Sequence, residues 1–121
     1  MPISILAVDD SRAARDMMRL SLSSAGMAVT LASNGIEGLK ALEGMNPDVI
    51  LVDIHMPRLD GFGFIEAVRK IDRLRGIPIL VVTSEYAPEL KSRARNAGAT
   101  GWISKPFDPQ KLIKTIHVVT R

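Results

Sequence analysis

The chain has 121 residues, of which 46% are hydrophobic and 24% charged, a balance ordinary for one soluble globular domain, so intrinsic disorder, collagen and coiled coil are excluded. It has no cysteine, which excludes a disulfide framework and a thiolate metal site. Its longest aliphatic runs have four residues, against the ~20 of a membrane span, and no secretory signal is evident. We therefore expect a cytoplasmic protein with no membrane partner.

The charge is unevenly distributed along the chain. Sixteen lysines and arginines against thirteen acidic residues give a net charge of +3, which taken alone suggests a nucleic-acid or acidic-membrane binder. Residues 1–64, however, hold five basic and eight acidic side chains, whereas residues 65–121 hold eleven basic and five acidic ones. The net charge thus averages an acidic half and a basic half of the chain. It is therefore weak support for a polyanionic partner, and we expect no nucleic-acid partner.

Apolar runs of strand length alternate with segments of helical periodicity. The predicted strands are 3–8, 27–32, 48–53, 77–83 and 102–104. The predicted helices are 11–25, a second from Asn34-Gly35 to near Gly44, a third from the 54–60 loop to Gly76, a fourth with Pro88 in its first turn and a fifth capped by Asp108. Helical spacing assigns a buried face to Ala14, Met17, Met18, Leu22 and Ala25 in the first helix, and to Ile36, Leu39 and Leu42 in the second.

The central strands are apolar throughout rather than alternating, which is expected when helices cover both faces of a sheet. The sequence therefore predicts an α/β protein with a five-stranded parallel sheet, doubly wound as (βα)5 in a flavodoxin-like arrangement. This one architecture uses the chain from residue 3 to residue 120, and we expect a single domain over 1–121.

Polar side chains follow several predicted strands, at the edge where such sheets bind ligands. Asp9 and Asp10 follow the first strand, Asp53 the third, Thr83 the fourth and Lys105 the fifth. Either acid of the first pair is also typical of a helix N-cap. Carboxylates ~4 Å apart repel by about 4 kcal/mol at an effective dielectric constant near 20, so three together require a raised pKa or a cation. Oxygen ligands favour Mg²⁺ or Mn²⁺, and the added lysine and hydroxyl suit phosphoryl transfer through an aspartyl phosphate.

Four stretches, VDDSRAARDMM, DVILVDIHMPRLDGF, ILVVTS and NAGATGWISKPF, resemble the receiver domain of two-component response regulators, and in particular the small stand-alone CheY-type chemotaxis regulators. The resemblance covers essentially the whole chain. It implies that Asp53 accepts phosphate from a histidine kinase or a phosphotransfer domain. It also implies a magnesium site made by Asp9, Asp10, Asp53 and the main-chain carbonyl of His55, with Asp9 acting largely through water.

The remaining family positions imply a switch. Thr83 matches the hydroxyl that moves toward the phosphoryl group, and Lys105 matches the lysine that contacts its oxygens. The resemblance implies a cis peptide between Lys105 and Pro106. Trp102 stands where the family usually has a tyrosine or phenylalanine that swings inward, and the larger indole argues against a simple in/out motion.

Further positions concern regulation and output. His55 and Glu85 match positions that tune dephosphorylation in the family. The implied output surface is the fourth helix, fifth strand and fifth helix, with the basic residues Lys91, Arg93, Arg95, Lys111 and Lys114. The implied partner, bound in trans because no output domain is expected, is a flagellar motor switch protein. The same sequence features would also be expected of a phosphate sink or shuttle, or of a stand-alone regulator of another pathway. We expect a monomer that catalyses its own phosphorylation and dephosphorylation rather than turnover of an external substrate.

Other chemistries fit less well. A phosphatase with an aspartyl nucleophile would want a second aspartate at the position of His55. The run from Gly61 to Glu66 only weakly resembles a dinucleotide fingerprint, because it lies beyond the first βα turn and lacks the third glycine. The acid pair would repel the phosphate of FMN.

Overall fold

The computed structural model describes residues 2–121, which alternate between strand and helix. The strands are β1 (Ser4–Val8), β2 (Ala28–Ala32), β3 (Val49–Val52), β4 (Ile79–Thr83) and β5 (Gly101–Ser104). The helices are α1 (Arg12–Ser24), α2 (Gly35–Leu42), α3 (Gly61–Arg69), α4 (Pro88–Ala97) and α5 (Pro109–Val119), with a 3-10 turn at Asp72–Leu74. Within residues 2–121 no helix is long and apolar enough to cross a membrane.

The five strands form one parallel sheet in the order β2-β1-β3-β4-β5, which confirms the predicted fold class. The strand order reverses between β1 and β3, and this is the point where doubly wound sheets bind ligands. Val8 pairs with Val52 in the register of these two strands. Asp9 and Asp53, the next residue of each strand, therefore emerge side by side.

The sheet is covered by apolar side chains on both faces. Leu6 and Ile50 belong to the buried cluster that includes residues of α2, α3 and α4, whereas Ile5 and Leu51 belong to the cluster that includes residues of α1 and α5. Successive side chains of a strand point to opposite faces, so strands buried on both sides must be apolar at every position. This explains the unbroken runs in β3 and β4, which are buried throughout.

The buried faces predicted for α1 and α2 are wider than those in the structure. Met18 and Leu22 of α1 are buried, but the side chain of Met17 is half exposed and Ala25 lies at the exposed C-cap. Ile36 of α2 is likewise exposed. Successive residues of a helix are turned by about 100°, so a neighbour of a buried residue commonly faces away from the sheet.

The third predicted helix is wrong in its second half. It ends at Arg69, and the chain continues through a turn into the 3-10 segment. The Arg69 guanidinium folds back and donates hydrogen bonds to the carbonyls of Leu74, Arg75 and Ile77. These carbonyls lie beyond the end of α3, and the arginine supplies hydrogen-bond donors to them; the carbonyl of Leu74 also accepts from the Ile77 amide.

Gly61 starts α3 at a position with no room for a side chain. A Cβ there would lie 2.7 Å from the Ile54 Cα and closer still to the carbonyl oxygen of Asp53. We expect Gly61→Ala to displace the backbone beside Asp53 and to lower the free energy of unfolding in urea by about 1–3 kcal/mol. Gly76→Ala is the matched control, because a Cβ there meets no heavy atom within 4 Å. Equal losses in the two variants would contradict the steric explanation.

Candidate functional site

Three carboxylates meet at the carboxyl end of the sheet. Asp9 and Asp10 follow β1, Asp53 follows β3, and one oxygen of each lies within 4.8 Å of the others. Asp9 is 1% exposed, the Asp53 side chain is 12% exposed, and Asp10 faces solvent. Neither Asp9 nor Asp10 caps the following helix, because the side chain of Ser11 does so by accepting a hydrogen bond from the Ala14 amide.

The ammonium group of Lys105 bridges two of these acids. Its Nζ donates to Asp9 Oδ2 at 2.6 Å and to Asp53 Oδ2 at 2.7 Å. Burial lowers the pKa of Lys105, but the hydrogen bonds to Asp53 and Asp9 outweigh it, so its pKa is raised. Counted at their formal charges, three carboxylates and one ammonium leave the cluster with two net negative charges.

Asp9 is held on both of its carboxylate oxygens. Oδ1 accepts a hydrogen bond from the Ser11 amide at 2.9 Å, and Oδ2 accepts the one from Lys105. Burial is nevertheless the larger effect and raises the pKa of Asp9. The two hydrogen bonds therefore compensate the negative charge of Asp9 only in part, and the charged form is less favourable in the folded protein than in water.

The donor set fits a hard divalent cation. It consists of three carboxylates, which together with the Lys105 ammonium carry a formal net charge of −2, and Mg²⁺ prefers such oxygen ligands. In residues 2–121 no hydrogen-bond donor occupies the main-chain carbonyl of His55, so that oxygen keeps its lone pairs. The three aspartates among the predicted metal ligands are thus close enough together to bind one small ion.

Thr83 ends β4 beside these acids and is buried. Within residues 2–121, the one hydrogen bond of its hydroxyl oxygen is a long one of 3.4 Å, accepted from the Glu85 amide. A hydroxyl can donate as well as accept, and this one is not committed to a strong partner.

Three loops are joined around the site by side chains. His55 Nε2 lies 2.9 Å from Glu85 Oε1, and the Tyr86 hydroxyl donates to the main-chain carbonyl of Lys105 at 2.8 Å. These contacts join the loops after β3, β4 and β5. Tyr86 is not predicted from sequence, because a single aromatic residue in a loop carries no periodic or motif signal.

Trp102 lies in β5, three residues before Lys105. Its ring packs against the core under α2, α3 and α4, and the Lys91 ammonium lies 5.8 Å from the ring centroid. The indole N–H is buried without a hydrogen-bond partner in residues 2–121. The peptide between Lys105 and Pro106 is cis, as the resemblance implied.

Comparison with known proteins places the chain in a family. Residues 5–117 match the response regulator receiver domain, and the chain belongs to that family. It is 37% identical over 114 residues to the sensor histidine kinase CheAY of Helicobacter pylori, covering 93% of this chain and 14% of that protein. Other curated relatives are about twice as long, and the chain spans 52% of their length.

Solved structures give the same result. The chemotaxis protein CheY4 of Vibrio cholerae superposes with a TM-score of 0.95 at 41% identity, covering 98% of this chain and 99% of that one. The receiver domain of the sensor histidine kinase PA1611 of Pseudomonas aeruginosa, which has a magnesium ion coordinated in its active-site cleft, superposes with a TM-score of 0.92 at 27% identity, covering 99% and 98%.

The raised pKa of Asp9 has a measurable consequence. The folded protein binds this proton more tightly than the unfolded chain, so the contribution of Asp9 to stability falls as pH rises from its ordinary pKa of about 3.9 through the higher folded value. Asp9→Asn lacks this titration. In metal-free buffer its free energy of unfolding, relative to that of the wild type, should increase with pH across that window. Urea unfolding at a series of pH values measures the difference.

The exposed acid Asp16 of α1 provides the control for this experiment. Asp16→Asn should change the free energy of unfolding by no more than about 1 kcal/mol across the window, because its exposed pairs with Arg12 and Arg19 contribute little. A difference between Asp9→Asn and wild type that stays constant across the window would contradict the buried-charge explanation.

Proposed function

We propose that the protein is a phosphorylation-activated switch of a two-component system, with Asp53 as the phosphoacceptor. The observation that carries this proposal is the Lys105 ammonium held against Asp53 and Asp9 at the point where the strand order reverses. A lysine so placed can neutralise a phosphoryl oxygen as soon as one arrives. Membership of the receiver family supports a histidine kinase or phosphotransfer domain as donor.

In the proposed reaction a carboxylate oxygen of Asp53 attacks the phosphorus atom of a phosphohistidine. The new O–P bond forms while the P–N bond breaks, and the electron pair of that bond returns to the imidazole nitrogen. Lys105 stays beside the acceptor and donates to the phosphoryl oxygens. Asp10, Asp53 and the His55 carbonyl would hold Mg²⁺, or Mn²⁺, with Asp9 acting through water. When bound, the ion supplies positive charge to the phosphoryl oxygens.

Phosphorylation then changes the loops around the site. It replaces one negative charge at Asp53 by about two and adds strong acceptor oxygens. The hydroxyl of Thr83, weakly held in the resting structure, becomes a donor to one of them. The loop that leads to α4 follows Thr83, and the segment of Trp102, Lys105 and Pro106 adjusts with the lysine. His55 and Glu85, on the rim, influence how water reaches the acyl phosphate.

The test uses Trp102, the single tryptophan, as a reporter. With Mg²⁺ present, beryllofluoride should produce a saturable change in its fluorescence, and acetyl phosphate should incorporate one phosphoryl group. Asp53→Asn should abolish both responses, because it removes the nucleophile and the charge that hold the group. Asp16→Asn, which removes a charge outside the site, should retain them. The same fluorescence change and incorporation in Asp53→Asn would refute Asp53 as the acceptor.

We further propose that the activated protein acts in the cytoplasm, as a monomer, on a flagellar motor switch protein. The likeness to the chemotaxis protein CheY4 and to CheAY supports a role in chemotaxis. The surface of α4, β5 and α5 supports an acidic partner, because four of its predicted basic side chains are exposed there: Lys91, Arg95, Lys111 and Lys114. Arg93, which the sequence also assigned to this surface, instead lies over the ring of Phe62 in α3. A phosphate sink or shuttle would keep the phosphorylation chemistry but would bind no target through this surface.

Charge reversal on this surface distinguishes the two roles. Beryllofluoride should strengthen binding of a flagellar motor switch protein about fivefold or more, since phosphorylation and binding must favour each other reciprocally. The double variant Lys111→Glu/Lys114→Glu should weaken binding about tenfold without changing the Trp102 response. Lys40→Glu/Lys70→Glu changes the net charge equally on exposed positions of another surface and should bind normally. No binding of the motor switch protein, with or without beryllofluoride, would favour the phosphate sink.

A further inference from the structure

The loop between β4 and α4 is held from both sides by two adjacent residues. Glu85 reaches back to His55 in the loop after β3, with Nε2 and Oε1 2.9 Å apart. Tyr86 reaches forward to the loop after β5, where its hydroxyl donates to the Lys105 carbonyl at 2.8 Å. We call these two contacts the rim tether. It joins three of the loops that border Asp53.

The residues that form the rim tether are exposed to solvent, whereas Asp53 and Lys105 beside it are largely buried. The side chains of Asp53 and Lys105 are 12% and 18% exposed, whereas those of His55 and Glu85 are 65% and 39% exposed. Tyr86 is also exposed, and its hydroxyl is the group that bonds to the Lys105 carbonyl. A donor that approaches Asp53 from solvent therefore has to pass loops that the tether fixes to one another.

We propose that the rim tether restricts the access of small phosphoryl donors to Asp53, with Tyr86 as the positioning residue that fixes the β4–α4 loop. This inference rests on the proposed function, because it concerns phosphorylation of Asp53. Thr83 begins the same loop, so the tether also sets the resting position of its hydroxyl. A protein donor that presents a phosphohistidine can displace the loop by its own contacts, whereas a small molecule has to wait until the loop opens.

Both contacts oppose the same motion. The loop after β4 moves freely only when Glu85 has left His55 and the Tyr86 hydroxyl has left the Lys105 carbonyl. Each contact removed should therefore multiply the fraction of time for which the pocket is open, and a hydrogen bond of ordinary strength corresponds to roughly threefold to tenfold. A bulkier donor needs a wider opening, so the gain should depend on the size of the donor.

The central variant is Tyr86→Phe, which removes one hydroxyl and keeps the ring. With Mg²⁺, its initial rate of phosphorylation by acetyl phosphate should rise roughly threefold to tenfold, followed by Trp102 fluorescence. The rate with the smaller donor phosphoramidate should rise less. The double variant Glu85→Ala/Tyr86→Phe should give about the product of the two single effects. A purely structural role for Tyr86 would shift both donors equally or neither, and either result would overturn the proposal.

A second measurement needs no phosphate. In the unphosphorylated Tyr86→Phe protein, the main-chain amides of residues 84–87 should exchange with solvent about threefold to tenfold faster than in wild type. Thr120→Val is the control, since it removes a hydroxyl-to-carbonyl bond of 2.7 Å at the far end of α5 and should leave exchange in this loop unchanged. Unchanged exchange in Tyr86→Phe would overturn the tether itself.

The two measurements separate this inference from the proposed function. If the wild type accepts phosphate and Tyr86→Phe changes neither rate, only the tether's control of access is overturned. If the wild type accepts no phosphate from any donor, the switch function and the control of access fall together. Faster exchange in Tyr86→Phe would then show that the contact restrains a loop of an inactive site.

Discussion

The contact of Lys105 with Asp9 and Asp53 is the interaction on which the site depends. A parallel sheet delivers the ends of β1 and β3 to the same edge, and both strands are followed by aspartate. Unit charges 4 Å apart interact by about 4 kcal/mol at an effective dielectric constant of 20, so unpaired acids here would oppose the pairing of the two central strands. The ammonium belongs to Lys105, which follows β5 at the edge of the sheet. Its hydrogen bond to Asp53 therefore links the loop after β5 to the central strand β3.

The site accounts for the acidic excess of the first half of the chain, because three of that half's eight acids lie in the site and the half holds five basic residues. The acids of the site come from the first half and the lysine that compensates them from the second, so folding brings together what the sequence separates. The compensation is incomplete, because three carboxylates face one ammonium and burial still raises the pKa of Asp9. The remaining two negative charges suit a divalent cation, and a bound cation would in turn favour an incoming phosphoryl group over a neutral ligand. The net charge of +3 therefore says little about the partner, whereas its distribution says much.

Sequence predicts best what depends on strong local regularity. The runs Val49–Val52 and Ile79–Thr83 predict their strands because burial on both faces permits no polar residue, and the aspartates after the strands follow from the sheet geometry. The spacing of apolar residues predicts Met17 in the core, because spacing alone does not show how wide a face of the helix the sheet covers. The break after Arg69 depends on a guanidinium that reaches carbonyls several residues away. The role of Tyr86 rests on a hydrogen bond to a carbonyl nineteen residues further along the chain, and no local sequence pattern predicts such a contact.

The contacts around α4 indicate how a small event at Asp53 can move a helix. Lys91 lies over Trp102 on one side of α4, and Arg93 lies 4.0 Å over the ring of Phe62 on the other. Exposed cation–π contacts contribute only about 0.5–1 kcal/mol each, so these restraints are weak. At the other end, Gly98 is fixed by a hydrogen bond from Arg69 to its carbonyl. New charge-assisted hydrogen bonds at the phosphoryl group, about 1.5–3 kcal/mol each, are strong enough to outweigh the weak restraints. Because Thr83 precedes α4 by only a short loop, the helix should therefore move at its N-terminal end and pivot about Gly98.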